Sequence, residues 1–161
     1  MLITLTHDCH SALDTGGELC SVFFELSKAF DTVPHQPLLY KLSSLNVNLF
    51  LLRWIYSYLS NRSQSVVLGC VQSKPLAVVS GVPQGSMLVP LLFLVYTDSV
   101  VSTVNHSKII TYADDIALYK IIRNPSDFTF LQEDITSICI WIADNYLSHP
   151  EFPEELLYAL L

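Results

Sequence analysis

The sequence predicts an α+β fold, an antiparallel sheet backed by helices, and three observations carry that expectation. Short β-favouring runs such as SVFFE (21–25), IITYA (109–113) and IALYK (116–120) have the length and residue types of strands. Elsewhere leucines and isoleucines recur at intervals of three and four, the period of a helix with one buried face. Finally, Asp114 and Asp115 stand side by side inside the otherwise apolar run IITYADDIALY. A charge carried toward a core costs several kcal/mol unless it is paired, hydrogen-bonded or metal-bound. The pair therefore calls for a cation, or for a turn that lifts it into water.

Composition limits what such a fold can do. The chain has 161 residues, 51% hydrophobic and only 14% charged, with a mean hydropathy of +0.42. That suits one domain with apolar surface intended for covering. No apolar run reaches the roughly 18–20 residues of a membrane-spanning helix, and MLVPLLFLVY is about half that length and holds Pro90. The first residues, MLITLTHDCHSALD, carry no basic residue ahead of their short apolar stretch, unlike a signal peptide. We expect an intracellular protein, nuclear or cytoplasmic, with no membrane partner. Cys9, Cys20, Cys70 and Cys139 lack metal-ligand spacing and read as reduced thiols. Eight basic against fifteen acidic residues, net −7, exclude a chain that grips nucleic acid by its own charge.

In chain order, residues 1–19 carry no clear element, and Ser21–Glu25 is the first strand. Pro34 and Pro37 punctuate the entry to a helix whose face is Leu38, Leu39, Leu42 and Leu45. After the polar NVN, a second helix runs from about Leu49 to Leu59 and ends at SNRS. QSVVLGCV (64–71) and LAVVS (76–80) read as two strands joined by a turn at QSKP. The loop GVPQGS leads into a buried helix over MLVPLLFLVYTDSVV, capped by Ser86, with Pro90 tolerated near its first turn. The two strands around the acidic pair follow as a hairpin. An amphipathic helix from Asp127 then shows Phe128, Leu131, Ile135, Ile138 and Ile142 on one stripe, with acids in its early turns. Residues 148–161 differ in kind, with two prolines and an acidic patch before a short apolar end. The sheet is expected to join the Glu25 strand to the Asp114 hairpin, backed by the helices around Leu91, Ile135 and Trp54.

Three groups carry chemistry. At a hairpin tip the Asp114 and Asp115 carboxylates can project into one volume, and hard cations such as magnesium seek oxygen ligands of this kind. Glu25, at the end of the first strand, adds a third carboxylate, with Asp31 six residues on. One acid at a strand end and two on a neighbouring hairpin can bridge two metal ions roughly 3.5–4 Å apart, the arrangement of in-line phosphoryl transfer. In GVPQGS, Gly81 and Gly85 permit close approach of a substrate to the main chain, and Gln84 offers an amide to a sugar or base.

The order FFELSKAFDTVPH, LLRWIYSYLSNRSQSVVLG, SGVPQGSMLVPLLFLVYTD, YADDIALY and a helix ending WIADNYL resembles the palm region of a reverse transcriptase of non-LTR retrotransposons. The resemblance covers roughly residues 20–147, the palm-like domain, between the N-terminal segment 1–19 and the divergent tail 148–161. It implies a polymerase palm-like antiparallel sheet whose catalytic residues and metal ligands are Asp114, Asp115 and Glu25. It also implies two Mg2+ ions, with Mn2+ as the alternative. By the same resemblance Phe30 is the gate that rejects a 2′-hydroxyl, Gln84 and Gly85 contact the incoming nucleotide, and Tyr112 lies near the primer end. The implied partners are an RNA template, a DNA primer and a deoxynucleoside triphosphate. From the same resemblance, the fingers and thumb regions needed for tight nucleic-acid binding are expected to be missing from this sequence. Glu25 stands where the family's usual residue is aspartate, and Val89 where it is glycine. The expected function is RNA-directed DNA polymerisation, impaired or lost in this chain; the alternative is a non-catalytic remnant or a metal-binding interaction fragment.

Overall fold

A computed structural model describes residues 2–145 of the chain, so the tail read at 148–161 lies outside the described residues. In order the elements are α1 (Leu2–Asp14), β1 (Glu18–Glu25), a one-turn α2 (Ala29–Thr32), α3 (His35–Ser44) and α4 (Leu49–Leu59). Four two-residue strands follow: β2 (Ser63–Gln64), β3 (Val67–Leu68), β4 (Val71–Gln72) and β5 (Leu76–Ala77). Then come α5 (Val89–Thr97), a 3-10 turn (Asp98–Thr103), β6 (Lys108–Tyr112), β7 (Asp115–Ile122) and α6 (Pro125–Asp144). The mixture is α+β, as expected. Among the described residues no helix is long and apolar enough to cross a membrane. The four cysteines are free thiols.

The chain divides into two units, one built from the residues up to Ser27 and from Asp98 onward, the other from Lys28–Thr97. The first holds a three-stranded antiparallel sheet in the order β1-β7-β6. As the middle strand, β7 is covered on both faces: Ile116, Ala117, Leu118 and Tyr119 are all buried. Alternation then divides the sheet. Cross-strand partners share a face, so Phe24, Ile116, Val22 and Leu118 look one way, while Glu25, Asp115, Phe23 and Ala117 look the other.

Helix α6 lies against β7 with the stripe the sequence foretold, burying Leu131, Ile135, Ile138 and Ile142. Phe128, placed on the same stripe, remains 42% exposed because it sits in the first turn. Asn124 and Asp127 close a reciprocal capping box at the helix start. The Arg123 and Asn124 amides donate to the Asp127 carboxylate and hold its pKa below the usual value.

On the sheet, α1 ties to its strands through Asp8, which accepts hydrogen bonds from Lys108 Nζ (2.7 Å) and Tyr119 Oη (2.9 Å). Those bonds lower the Asp8 pKa. Burial and the Asp8 contact push the Tyr119 phenol up to about 12.

The second unit packs α3 against α4 and α5. Leu38 and Leu42 of the foretold face are buried, whereas Leu45, one residue past the helix, is 59% exposed. Helix α4 has the bounds read from sequence, and the Asn48 side chain caps it by accepting from the Phe50 amide at 2.8 Å. Helix α5 starts at Val89, later than the apolar run suggested, with Pro90 at its second position. The Ser86 hydroxyl accepts from the Leu88 amide at 3.3 Å.

One expectation fails here: the turn in residues 64–80 does not fall at QSKP. It falls at Gly69 and Cys70, with β3 paired to β4, and β2 paired to β5 outside them. Gly69 adopts φ +60, a left-handed value that glycine reaches without strain, and this fixes the turn. All eight residues of these strands are exposed, so no buried face imposes a register.

Candidate active site

The acidic hairpin forms as a two-residue connection. Tyr112 and Asp115 are register partners, leaving Ala113 and Asp114 as the turn. Ala113 takes φ +54, the left-handed region that primed hairpin turns require. An alanine there costs on the order of 1–2 kcal/mol, strain of the kind that collects at functional sites.

Glu25 and Asp115 are partners at the last rung of the β1–β7 ladder. They project from one face, with Cβ atoms about 4.5–5.5 Å apart in pairs of this kind. The Leu26 amide donates to the Asp114 carbonyl at 3.3 Å, locking β1 to the turn. Tyr112 faces Asp115 from the other side, so Glu25, Asp115 and Tyr112 form a row across the sheet end, all three exposed. Asp114 is half-buried beside them.

Like charges directly opposite destabilise a sheet. Both lysines of this unit are engaged elsewhere, Lys108 with Asp8 and Lys120 with Asp127. Among the described residues no ion pair neutralises Glu25, Asp114 or Asp115. The donor set of bare carboxylate oxygens suits a hard divalent cation. Among the described residues no three acidic, His or Cys side chains are gathered into a ready-made cage. Magnesium is ordinarily held by one or two carboxylates together with substrate phosphates, which is what the facing pair Glu25 and Asp115 can supply.

Phe30, Gln84 and Gly85 belong to the second unit. There the turn 29–33 and the loop 80–84 dock backbone to backbone. The Gly81 amide donates to Val33 O (2.8 Å) and the Val82 amide to Phe30 O (2.7 Å). Gly81 is compelled by this contact: at φ +86, a Cβ would stand 2.7 Å from the Asp31 carbonyl oxygen. Phe30 packs on Phe93 with ring centroids 4.6 Å apart. Gly85, at φ +84, has open space around it, while Gln84 is exposed. A polar cleft of about 730 Å³ is lined by Lys28, Asp31, Arg62, Gln64 and Gln84 among others. Sequence reasoning missed Lys28, Arg62 and His35 here. The His35 ring meets the Gly81 carbonyl at 2.8 Å, and nothing in the local pattern PHQ announces a contact 46 residues away.

Comparison with known proteins places the chain in a family. The model of the family "Reverse transcriptase (RNA-dependent DNA polymerase)" matches residues 2–149. The chain belongs to the reverse transcriptase family. It is 36% identical over 105 residues to the RNA-directed DNA polymerase from mobile element jockey of Drosophila funebris, covering 61% of this chain and 11% of that protein. The probable RNA-directed DNA polymerase from transposon BS of Drosophila melanogaster is 32% identical over 145 residues, 85% of this chain and 16% of the relative. A similar match is the probable RNA-directed DNA polymerase from transposon X-element of Drosophila melanogaster, 36% identical over 107 residues, 63% of this chain and 12% of the relative. This is a reverse transcriptase domain of the non-LTR retrotransposon kind, and it spans only 11–16% of the relatives' length.

Proposed function

We propose that this chain is the palm-like core of an RNA-directed DNA polymerase that extends a DNA primer on an RNA template. The observation that carries the reading is the row Glu25, Asp115, Tyr112 at the end of the sheet, with Asp114 on the turn beside it. Asp114, Asp115 and Glu25 are the catalytic residues and would hold two magnesium ions. When bound, those ions supply charge for the α-phosphate and lower the pKa of the primer 3′-hydroxyl. The chain's own side chains then place the reactants. Asp115 and Glu25 present oxygens from adjacent strands, Asp114 closes the group from the turn, and exposed Tyr112 flanks the primer end. Phe30, braced by Phe93, bars a 2′-hydroxyl. Gln84 and Gly85 meet the incoming deoxynucleotide.

Glu25 favours a second reading, a non-catalytic remnant. Glutamate in place of aspartate adds a methylene and about an ångström of reach, and a 1 Å displacement can cost on the order of a hundredfold in rate. Fingers and thumb regions from a relative would supply the grip on nucleic acid that eight basic residues do not. Primer extension on an RNA template with magnesium tests both readings. In a chain joined to those regions, the polymerase reading expects incorporation that rises on the order of a hundredfold with Glu25→Asp and vanishes with Asp114→Ala. No incorporation even with Glu25→Asp leaves the remnant.

A further inference from the structure

Most of the contacts holding loop 80–84 on residues 30–35 use the main chain on at least one side. The Ser80 hydroxyl donates to the Asp31 carbonyl (3.0 Å), the Gly81 and Val82 amides donate to Val33 and Phe30, and the His35 ring meets the Gly81 carbonyl. The link between Gln84 and Asp31 is of another kind, since Gln84 Nε2 donates to Asp31 Oδ1 at 2.9 Å, side chain to side chain. Both residues line the same polar cleft.

We propose that Asp31 is a positioning residue that sets which way the Gln84 amide faces. An ionised carboxylate only accepts hydrogen bonds, so the amide must turn its NH2 toward Asp31. Its carbonyl Oε1 then points away from Asp31, as an acceptor for a hydroxyl or amino donor of the nucleotide. A glutamine free to flip would present the wrong end part of the time and lose rotamer freedom on each binding event. The loop is docked by main-chain bonds regardless of the Asp31 side chain, so that carboxylate is spare for orientation. The inference rests on Gln84 being the nucleotide contact and concerns only what holds it.

The test is 15N NMR of the whole chain, with the Gln84 side-chain NH2 signals identified by their loss in Gln84→Ala. We expect hydrogen exchange of this NH2 several-fold slower than in free glutamine, restored to the free rate by Asp31→Leu. Asp31→Asn, which keeps an acceptor oxygen, should recover part of the protection. Backbone amide signals of Ser80, Gly81, Val82 and Gln84 should persist in both variants. In primer extension by the joined chain described above, Asp31→Leu should raise the KM for deoxynucleotide about two- to tenfold with little change in kcat. Free exchange of the Gln84 NH2 in the unaltered chain, or protection indifferent to Asp31→Leu, overturns the proposal. Absence of polymerisation in the joined chain, even with Glu25→Asp, counts against the polymerase reading alone, and the NMR result still decides the positioning role.

Discussion

Among the described residues two hairpins have two-residue turns, and they differ in almost every physical respect. The β6–β7 hairpin places a middle strand with four successive buried residues into a sheet covered by α6. The β3–β4 hairpin, within the second unit, exposes Val67, Leu68 and Val71 at 64%, 82% and 72%. The first is held by burial. The second is held by exposed polar bonds, such as Gln72 Nε2 to Ser65 Oγ (2.8 Å) and the Val66 amide to Ser73 Oγ (2.9 Å). Register is fixed strongly only where a wrong slip would turn apolar residues into water. The buried hairpin therefore holds Asp115 at a defined rung opposite Glu25.

The sharpest way to break this contrast is to truncate a leucine in each. Leu118 is fully buried in β7, so Leu118→Ala should cost about 2–5 kcal/mol. Leu68→Ala should stay within about 0.5 kcal/mol. Urea unfolding of both variants checks this, and equal losses would erase the distinction.

The next effect concerns how β6 is entered. Asp134 of α6, 1% exposed, accepts from the Asn105 amide at 2.9 Å and the His106 amide at 3.0 Å. The Ser107 hydroxyl, buried nearby, completes no hydrogen bond of good geometry. Burial works to raise the Asp134 pKa, but the hydrogen bonds outweigh it and hold it below the ordinary carboxylate value. A lowered folded-state pKa stabilises the fold above the unfolded value near 3.9, and the contribution is lost as pH falls through the folded value. Asp134→Ala should therefore cost about 1–3 kcal/mol at neutral pH and flatten the acid limb of the stability profile. Denaturant midpoints from pH 7 to 2 measure it; an unchanged acid limb would contradict the assignment.

The smallest effect compares the turns. Ala113 and Gly69 both have positive φ. Ala113→Gly should leave stability unchanged or raise it by up to about 1 kcal/mol, since relief of strain offsets the added chain entropy. Gly69→Ala should lower it by a similar amount. Thermal unfolding of the pair decides, and a loss of stability in Ala113→Gly or a gain in Gly69→Ala would contradict the account of these turns.

The same contrast explains what could be read in advance. Buried faces write themselves into sequence as periodicity, which is why the α6 stripe, the bounds of α4 and the existence of the hairpin around Asp114 and Asp115 were legible, although its turn falls one residue earlier than read, at Ala113 and Asp114, and leaves Asp115 on β7. The β3–β4 turn was not, because exposed strands carry no pattern and the polar QSKP looked as turn-like as Gly69. Helix α1 was also unread over the first nineteen residues: its anchor, Asp8 to Lys108 and Tyr119, spans about a hundred positions. Of the site, Glu25 opposite Asp115 followed from strand ends meeting across a sheet. The clasp of Asp31 on Gln84 required two loops 53 residues apart to touch.

The central proposal is that Glu25, Asp114 and Asp115 would hold a divalent cation, and paramagnetic broadening by Mn2+ tests it directly. On titrating the chain, amide signals of residues 24–26 and 113–116 should broaden first, and Asp115→Asn together with Glu25→Gln should abolish that preference. Broadening that is uniform over the acidic surface, or unchanged in the double variant, would contradict the account.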